Sequence, residues 1–238
     1  MTQTRPNIAI FDIDGTLTDS VRAHQIAFEA ALRDFNFPAL RTDWGSYRHH
    51  SDSAILAEAW TEAGREGAAD LARLEESYAR HYRAAVTDEP FEEIPGTRAF
   101  LEHLRAHGWV LAFATGSLRS GALHKLAVAG VDGNAEILVT ASELETREQI
   151  VGRAVDLACE IAGAAVPGRV ISIGDGVWDL KTARNLGYEF LGIGFTGKGA
   201  KLKEMGASVH HDFNEVMSHG PEEFRPRAEP HPVPAETG

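Results

Sequence analysis

The sequence predicts an α/β fold in which helices cover both faces of a parallel sheet and an all-helical insertion interrupts the sheet. Short apolar segments alternate with helical patterns, as is typical of parallel strands buried on both faces. These segments are NIAIFD, WVLAFAT, EILVT, RVISIGD and a weaker EFLGIG. A long stretch without a convincing strand separates the first two. A chain of 238 residues has room for one core domain with such an insertion.

Three helical patterns fill the stretch between the first and second strands. They are AHQIAFEAALRDF, SAILAEAWTEAG and ADLARLEESYARHYRAAV. Their apolar residues recur at spacings of three and four, which indicates amphipathic helices. Asn36 and Pro38 break the first pattern, and Gly64 and Gly67 break the second. An all-helical block is therefore expected here.

The breaks in pattern predict the domain boundaries. Residues 1–18 and 90–218 are expected to form the sheet core, and residues 19–89 the helical insertion. Residues 219–238 contain five prolines among charged and polar residues. Because such a composition cannot bury a core, we predict a disordered tail there.

Charge and composition limit the classes of partner. The formal net charge is −12, and an acidic chain repels nucleic acid and anionic membranes unless it carries a concentrated basic patch. The densest basic cluster is Lys198, Lys201 and Lys203, which we interpret as solvated surface. We therefore expect neither a nucleic-acid partner nor a membrane partner.

The single cysteine and the apolar segments indicate a location. Cys159 lies in an apolar helical pattern, which favours a buried core thiol over a nucleophile. No signal-peptide pattern and no apolar run of membrane-spanning length is apparent. The cytoplasm is the expected compartment.

Polar residues follow the predicted strands where each strand ends. They are Asp12, Asp14, Thr115, Ser117, Asp175 and Asp179. Open parallel sheets bind ligands beyond the carboxyl ends of their strands, so these residues are expected at one edge. Clustered carboxylates repel one another without a cation, and an oxygen-lined site suits Mg²⁺ when phosphate is the substrate. The sequence thus predicts a Mg²⁺ site for phosphate chemistry.

Three segments resemble motifs of the haloacid dehalogenase-like hydrolase superfamily. FDIDGTLTDS resembles the first motif, ATGS the second and GDGVWD the fourth, and their order and spacing agree across roughly residues 8–212. The resemblance implies a Rossmann-like core. The position of the helical block resembles the mobile helical cap of the phosphoglycolate-phosphatase and β-phosphoglucomutase branch.

The resemblance implies a covalent mechanism on phosphate esters. Asp12 would attack phosphorus and form an aspartyl-phosphate, which splits one displacement into two. Asp14 would protonate the leaving group and then deprotonate the attacking water. Family members that cleave carbon–halogen or carbon–phosphorus bonds usually lack the second aspartate, so Asp14 favours phosphate esters.

The other motif residues would bind phosphate or metal. Gly15 would let the backbone turn closely around the phosphate, and Thr115 and the amide of Gly116 would hold its oxygens. Ser117 is a further phosphate candidate, and capping of the next helix is the alternative for both hydroxyls. The metal ligands implied are Asp12, Asp14 through its backbone carbonyl, Asp175 and Asp179.

The third motif of the family contributes a lysine or arginine that balances charge. Arg147 in ETREQIV is the best match, because a guanidinium stays charged and contacts phosphate and carboxylate together. An exposed arginine paired with Glu143 or another nearby acid is the alternative. Lys125 is the second candidate for the charge-balancing role.

A cap that closes over the site would exclude water and contact the far part of the substrate, which favours a small phosphorylated metabolite. In the linker RTDWGSYRHHSDS, Arg48, His49 and His50 are interpreted either as ligands for an anionic or hydroxylated group or as a solvated loop. We expect a Mg²⁺-dependent phosphatase. A β-phosphoglucomutase-like phosphomutase and a non-catalytic binding protein on the same scaffold are the alternatives.

Overall fold

The computed structural model describes residues 5–219, and its core is a parallel sheet of six strands in the order β3-β2-β1-β4-β5-β6. The strands are β1 (Asn7–Phe11), β2 (Trp109–Ala114), β3 (Ile137–Val139), β4 (Val170–Gly174), β5 (Glu189–Ile193) and β6 (Ser208–His210). All neighbouring strands are parallel. The five predicted strands are present, and β6 is an addition that the sequence analysis missed.

Helices follow the strands and form the insertion. They are α1 (Val21–Arg33), α2 (Asp52–Glu62), α3 (Leu71–Asp88), α4 (Thr97–Ala106), α5 (Arg119–Val128), α6 (Arg147–Ala162), α7 (Val177–Leu186), α8 (Gly199–Glu204) and α9 (Phe213–His219). A short 3₁₀ helix, Trp44–Ser46, lies between α1 and α2. Residues 220–238, most of the predicted tail, lie outside the described range.

Alternating side chains of the central strand divide the core into two layers. In β1, Ala9 and Phe11 pack with residues of α4, α5 and α9, whereas Ile8 and Ile10 pack with residues of α6. Helix α7 contacts α6 on that second side. This two-sided covering confirms the predicted α/β class. Cys159 is buried in the α6 layer, as expected.

The insertion between β1 and α4 has its own apolar cluster. Helix α1 packs along α3, and Phe28 and Tyr78 are buried between them. Three of the four predicted breaks adopt left-handed backbone, with φ of +52° at Asn36, +67° at Gly64 and +76° at Gly67. The helical block is thus present, while its domain boundaries at residues 19 and 89 stay predictions.

Hydrogen bonds join the start of α2 to loops of the sheet core. The amide of Asp52 donates to the carbonyl of Gly116 at 2.8 Å, and the amide of Leu118 donates to the Asp52 carboxylate at 2.9 Å. Ser53 donates to the carbonyl of Leu144 at 3.3 Å. These bonds hold the insertion over the carboxyl ends of the strands. Within residues 5–219, no helix has the length and apolarity needed to cross a bilayer.

Candidate active site

Asp12 stands at the end of the central strand β1. Its amide donates to the carbonyl of Ile173 at 2.9 Å, so strand pairing with β4 continues to this residue. The side chain is almost fully buried, and one carboxylate oxygen accepts a hydrogen bond from Arg147 at 2.9 Å. Strand geometry therefore holds the predicted nucleophile in a fixed position at the sheet edge.

The loop after Asp12 turns at Gly15. Its φ of +79° lies in the left-handed region, and its amide donates to the carbonyl of Thr18 at 2.8 Å. A Cβ at this position would clash with the carboxylate of Asp175. Only glycine combines this conformation with this approach, and the turn brings the first motif against the fourth.

Asp14 is surrounded by hydrogen-bond donors. One carboxylate oxygen accepts from Ser20 at 2.6 Å, and the other accepts from Ser117 at 2.6 Å and from Lys125 at 2.7 Å. Burial alone would raise the pKa of Asp14, but the charges of Lys125 and His24 outweigh it and leave that pKa below its ordinary value. Asp14 is therefore held as an ionised carboxylate.

The second motif follows β2, where Thr115 and Ser117 are both buried. The Thr115 hydroxyl oxygen accepts from the amide of Ser117 at 3.1 Å, and the Ser117 hydroxyl donates to Asp14. Helix α5 begins after Leu118 without a side-chain cap, so neither hydroxyl caps its first turn. A side chain at Gly116 would meet Arg147, so this position keeps the loop close to the guanidinium.

Arg147 is the first residue of helix α6, whose N-terminus is stabilised by a capping box of Thr146 and Gln149. Its guanidinium lies 2.9 Å from Asp12 and 3.5 Å from Asp179. Burial lowers its pKa, but these two carboxylates more than offset that effect and raise it. Arg147 is thus placed between the nucleophile and the acidic cluster.

The exposed pairing considered for Arg147 is absent, because its side chain is largely buried and pairs with Asp12, while Glu143 pairs with Arg119 at 2.6 Å. Lys125, the second candidate, is fully buried and contacts a different aspartate. Its ammonium donates to Asp14 at 2.7 Å and to Ser117 at 3.0 Å. The two cations therefore balance separate charges, Arg147 beside Asp12 and Lys125 beside Asp14.

Three buried carboxylates, those of Asp12, Asp175 and Asp179, offer ligand atoms within 4.8 Å of one another. Burial raises the pKa of Asp179 well above its ordinary value, and the neighbouring Asp12 raises it further. Burial also raises the pKa of Asp175, although Lys198 partly opposes this. One buried oxygen of Asp175 has no hydrogen-bond partner. Clustered oxygen donors and this unsatisfied oxygen fit a hard divalent cation such as Mg²⁺.

The interpretation of Lys198 as solvated surface is wrong. Its ammonium lies 2.8 Å from the Asp175 carboxylate and 5.1 Å from the centre of the Trp178 ring. Thr196 donates to the same carboxylate oxygen at 3.0 Å. Both residues follow β5, so their position after a strand end was a signal in the sequence. Lys201, in contrast, forms an exposed pair with Glu204, as expected of surface.

A cavity of about 340 Å³ lies between these residues and the insertion. The first helix and the linker of the insertion line its outer part, and the His50 ring packs on Trp178 with 4.9 Å between ring centres. The carbonyl of His50 accepts from Arg147 at 2.9 Å. Of the three linker residues considered, only His50 lines the cavity, while Arg48 is exposed and His49 lies outside the lining.

Solved structures share this architecture. A hydrolase from Pseudomonas syringae aligns with a TM-score of 0.69 and 25% identity, covering 89% of this chain and 96% of that one. CbbY from Rhodobacter sphaeroides in complex with phosphate aligns with a TM-score of 0.65 and 16% identity, covering 90% of this chain and 96% of that one. A predicted phosphoglycolate phosphatase from Haemophilus somnus aligns with a TM-score of 0.58 and 20% identity, covering 92% of this chain and 98% of that one. The last two show similarity of fold alone.

Among curated proteins, the chain is similar to the tyrosine-protein kinase PtkA of Mycobacterium tuberculosis and of Mycobacterium bovis. Identity is 27% over 194 residues, which is 80% of this chain and 62% of each relative. The chain therefore spans less than two thirds of the length of these relatives.

The model of the haloacid dehalogenase-like hydrolase family matches residues 6–187. The matched range covers most of the chain and includes the first, second and fourth motifs. It also includes the buried aspartates and both buried cations described above. The resemblance of the three motifs is thereby confirmed, and the chain belongs to the haloacid dehalogenase-like hydrolase family.

Proposed function

We propose that the protein is a Mg²⁺-dependent phosphatase that hydrolyses a small phosphorylated metabolite through an aspartyl-phosphate on Asp12. One observation carries the proposal. The carboxylate of Asp12 lines a cavity between Arg147 and an acidic cluster, while Asp14 is held nearby by a separate cation. The proposed nucleophile, acid–base group and cation ligands thus lie close together, which supports the proposal.

In the first half of the reaction, a carboxylate oxygen of Asp12 attacks phosphorus. The bond between phosphorus and the ester oxygen breaks, its electron pair stays on that oxygen, and Asp14 supplies the proton to the leaving alcohol. Arg147 stabilises charge on the transferring group, because its guanidinium already lies 2.9 Å from the nucleophile.

In the second half, Asp14 takes a proton from water and that water attacks the aspartyl-phosphate. The bond between phosphorus and the Asp12 oxygen breaks, which releases phosphate and restores the carboxylate. The ionised, fully hydrogen-bonded state of Asp14 is the form required for this step. To act as the acid in the first half, Asp14 must gain a proton when substrate enters.

The proposed metal ligands are Asp12, Asp175, Asp179 and the backbone carbonyl of Asp14. When bound, Mg²⁺ would supply a counter-charge for the carboxylates and for the phosphate oxygens. The raised pKa values of Asp175 and Asp179 support this assignment, because a cation would allow both to ionise together.

The proposed phosphate contacts are Gly15, Thr115, Gly116, Ser117 and Arg147. The Thr115 hydroxyl oxygen accepts from an amide, which leaves its proton available for a phosphate oxygen. The Ser117 hydroxyl donates to Asp14, so its main part would be to hold that carboxylate. The insertion would act as a cap that excludes water, which its hydrogen bonds to the second-motif loop support.

The test is a phosphate-release screen across phosphorylated metabolites with Mg²⁺, comparing the wild type with Asp12→Asn. We expect Asp12→Asn to lose turnover, whereas Asp156→Asn on the exposed side of α6 keeps it. Normal turnover by Asp12→Asn would overturn the mechanism. Absence of phosphate release from the whole panel would favour the non-catalytic alternative.

Two other phosphoryl-transfer activities have distinct products. A phosphomutase would use the same two aspartates and convert a hexose 1-phosphate to its isomer without releasing phosphate. A kinase like the mycobacterial relatives would transfer phosphate from ATP to tyrosine. Product analysis with a hexose 1-phosphate, and with ATP and a tyrosine-containing protein, separates both from hydrolysis.

A further inference from the structure

We propose that the substrate is a hydroxylated monophosphate whose leaving alcohol carries no second anionic group. This inference rests on the proposed phosphatase function and names the class of ester that the cavity accepts. Phosphate esters that also carry a carboxylate or a second phosphate are the excluded class.

The strong cations that line the cavity are both paired at its phosphate end. Arg147 contacts Asp12 and Asp179, and Lys198 contacts Asp175. Lys125 lies behind the lining, is fully buried and contacts Asp14. Each of these charges is thus committed to the aspartates or to the transferring phosphate.

The two histidines of the lining offer no unpaired positive charge to the substrate. Burial and the charge of Arg147 both lower the pKa of His50, which favours its neutral form near pH 7. Nδ1 of His24 lies 3.3 Å from the ammonium of Lys125, which has only protons to donate. Nε2 of the same ring lies 3.2 Å from the carboxylate of Asp52, so His24 is held between Lys125 and Asp52 and offers no free charge to a substrate.

The outer wall of the cavity carries negative charge instead. Asp52 is buried, and its carboxylate accepts from the amide of Leu118 at 2.9 Å and faces His24. Asp43 caps the short 3₁₀ helix by accepting from the amide of Gly45 at 3.2 Å. A carboxylate or second phosphate on the substrate would meet these like charges and would find no cation in the lining that is not already paired, which disfavours its binding.

Aromatic and uncharged polar side chains complete this wall. Phe28 and Trp44 pack together with 5.4 Å between ring centres, and Gln25 and Thr42 lie on the same cavity. Aromatic faces suit the apolar side of a sugar or polyol, while amide, hydroxyl and carboxylate groups suit its hydroxyls. The wall thus fits a hydroxylated leaving group without a second negative charge.

The experiment compares two matched pairs that differ mainly in a carboxylate. The pairs are glycerol 3-phosphate with 3-phosphoglycerate, and glucose 6-phosphate with 6-phosphogluconate. Each compound is tested as a competitive inhibitor of p-nitrophenyl phosphate hydrolysis with Mg²⁺, a readout that does not require its own turnover. We expect the uncharged-alcohol member to bind at least about tenfold more tightly in each pair. Equal or tighter binding of the carboxylate members would overturn the inference.

A charge-reversal variant tests the assigned wall. Asp43→Lys is expected to lower the preference within each pair by about tenfold, because it replaces a repelling charge with an attracting one. Asp156→Lys on the exposed face of α6 is the matched control and is expected to keep the preference. An unchanged preference in Asp43→Lys would remove Asp43 from the explanation and contradict the charge argument.

A third ester separates hydroxyl recognition from attraction by the wall's negative charge. Ethanolamine phosphate carries an ammonium, and tighter binding of this compound than of glycerol 3-phosphate would overturn the hydroxylated class. Hydrolysis of p-nitrophenyl phosphate distinguishes failure of the phosphatase proposal from failure of the substrate class alone. If it does not proceed with Mg²⁺, the phosphatase proposal fails. If it proceeds and the pairs show no preference, only the substrate class fails.

Discussion

Replacement of Arg147 by methionine is expected to lower kcat/KM by about 10²–10³-fold. The guanidinium lies 2.9 Å from Asp12 and 3.5 Å from Asp179. At an effective dielectric constant of about 20, each pair represents roughly 5 kcal/mol of Coulomb attraction, most of which offsets the cost of burying the charges. Loss of one preorganised donor to a transition state costs about 2.7–4 kcal/mol, which corresponds to the stated fold-change.

The assay is steady-state hydrolysis of p-nitrophenyl phosphate at saturating Mg²⁺, with folding checked by circular dichroism. Arg147→Lys is expected to recover part of the lost rate, because it restores the charge without the planar fork. Lys125→Met is measured beside it. If Arg147→Met stayed within about threefold of the wild type while Lys125→Met lost more, the two cations would have been assigned to the wrong roles.

Three further predictions concern stability and pH. Lys125→Met leaves the buried carboxylate of Asp14 unpaired, so it should lower the free energy of unfolding by about 3–5 kcal/mol in urea titrations. Addition of Asp14→Asn should recover part of that loss, and a double mutant no more stable than Lys125→Met would contradict the pairing. Gly15→Ala should cost about 1–3 kcal/mol and weaken Mg²⁺ binding by calorimetry, because its Cβ would enter the Asp175 carboxylate. Gly64→Ala has similar backbone strain in open space and should leave Mg²⁺ binding unchanged. Burial raises the pKa of Asp175 above the ordinary 3.8, so the metal-free protein should lose stability as pH rises from about that value through the raised pKa. The increase in Tm caused by Mg²⁺ should grow over the same range, and a pH-independent increase in scanning fluorimetry would count against the metal site.

The main strands of the fold were predictable because each carries a local signal. The first four predicted segments are short apolar runs that end in polar residues, and the alternation of strands and helices indicates a parallel sheet. The edge strand β6 (Ser208–His210) has only three residues, none of them buried, so it lacks the apolar run that marks the other strands. Only its pairing with β5 defines it as a strand. The other edge strand, β3, is fully buried and was predicted, so burial rather than edge position separates the missed strand from the others.

The candidate site likewise contains residues with a local sequence signal and contacts that depend on packing. The sequence by itself determined Asp12, Asp14 and the acidic residues of the fourth motif as candidates, because each follows the end of a predicted strand within a short motif. Tertiary structure decided how charge is balanced. Arg147 and Lys125 lie on different helices and form ion pairs with different aspartates. Lys198 contacts the acidic cluster from the loop after β5. Pairing between distant segments depends on how helices pack on the sheet, and no local pattern contains that information.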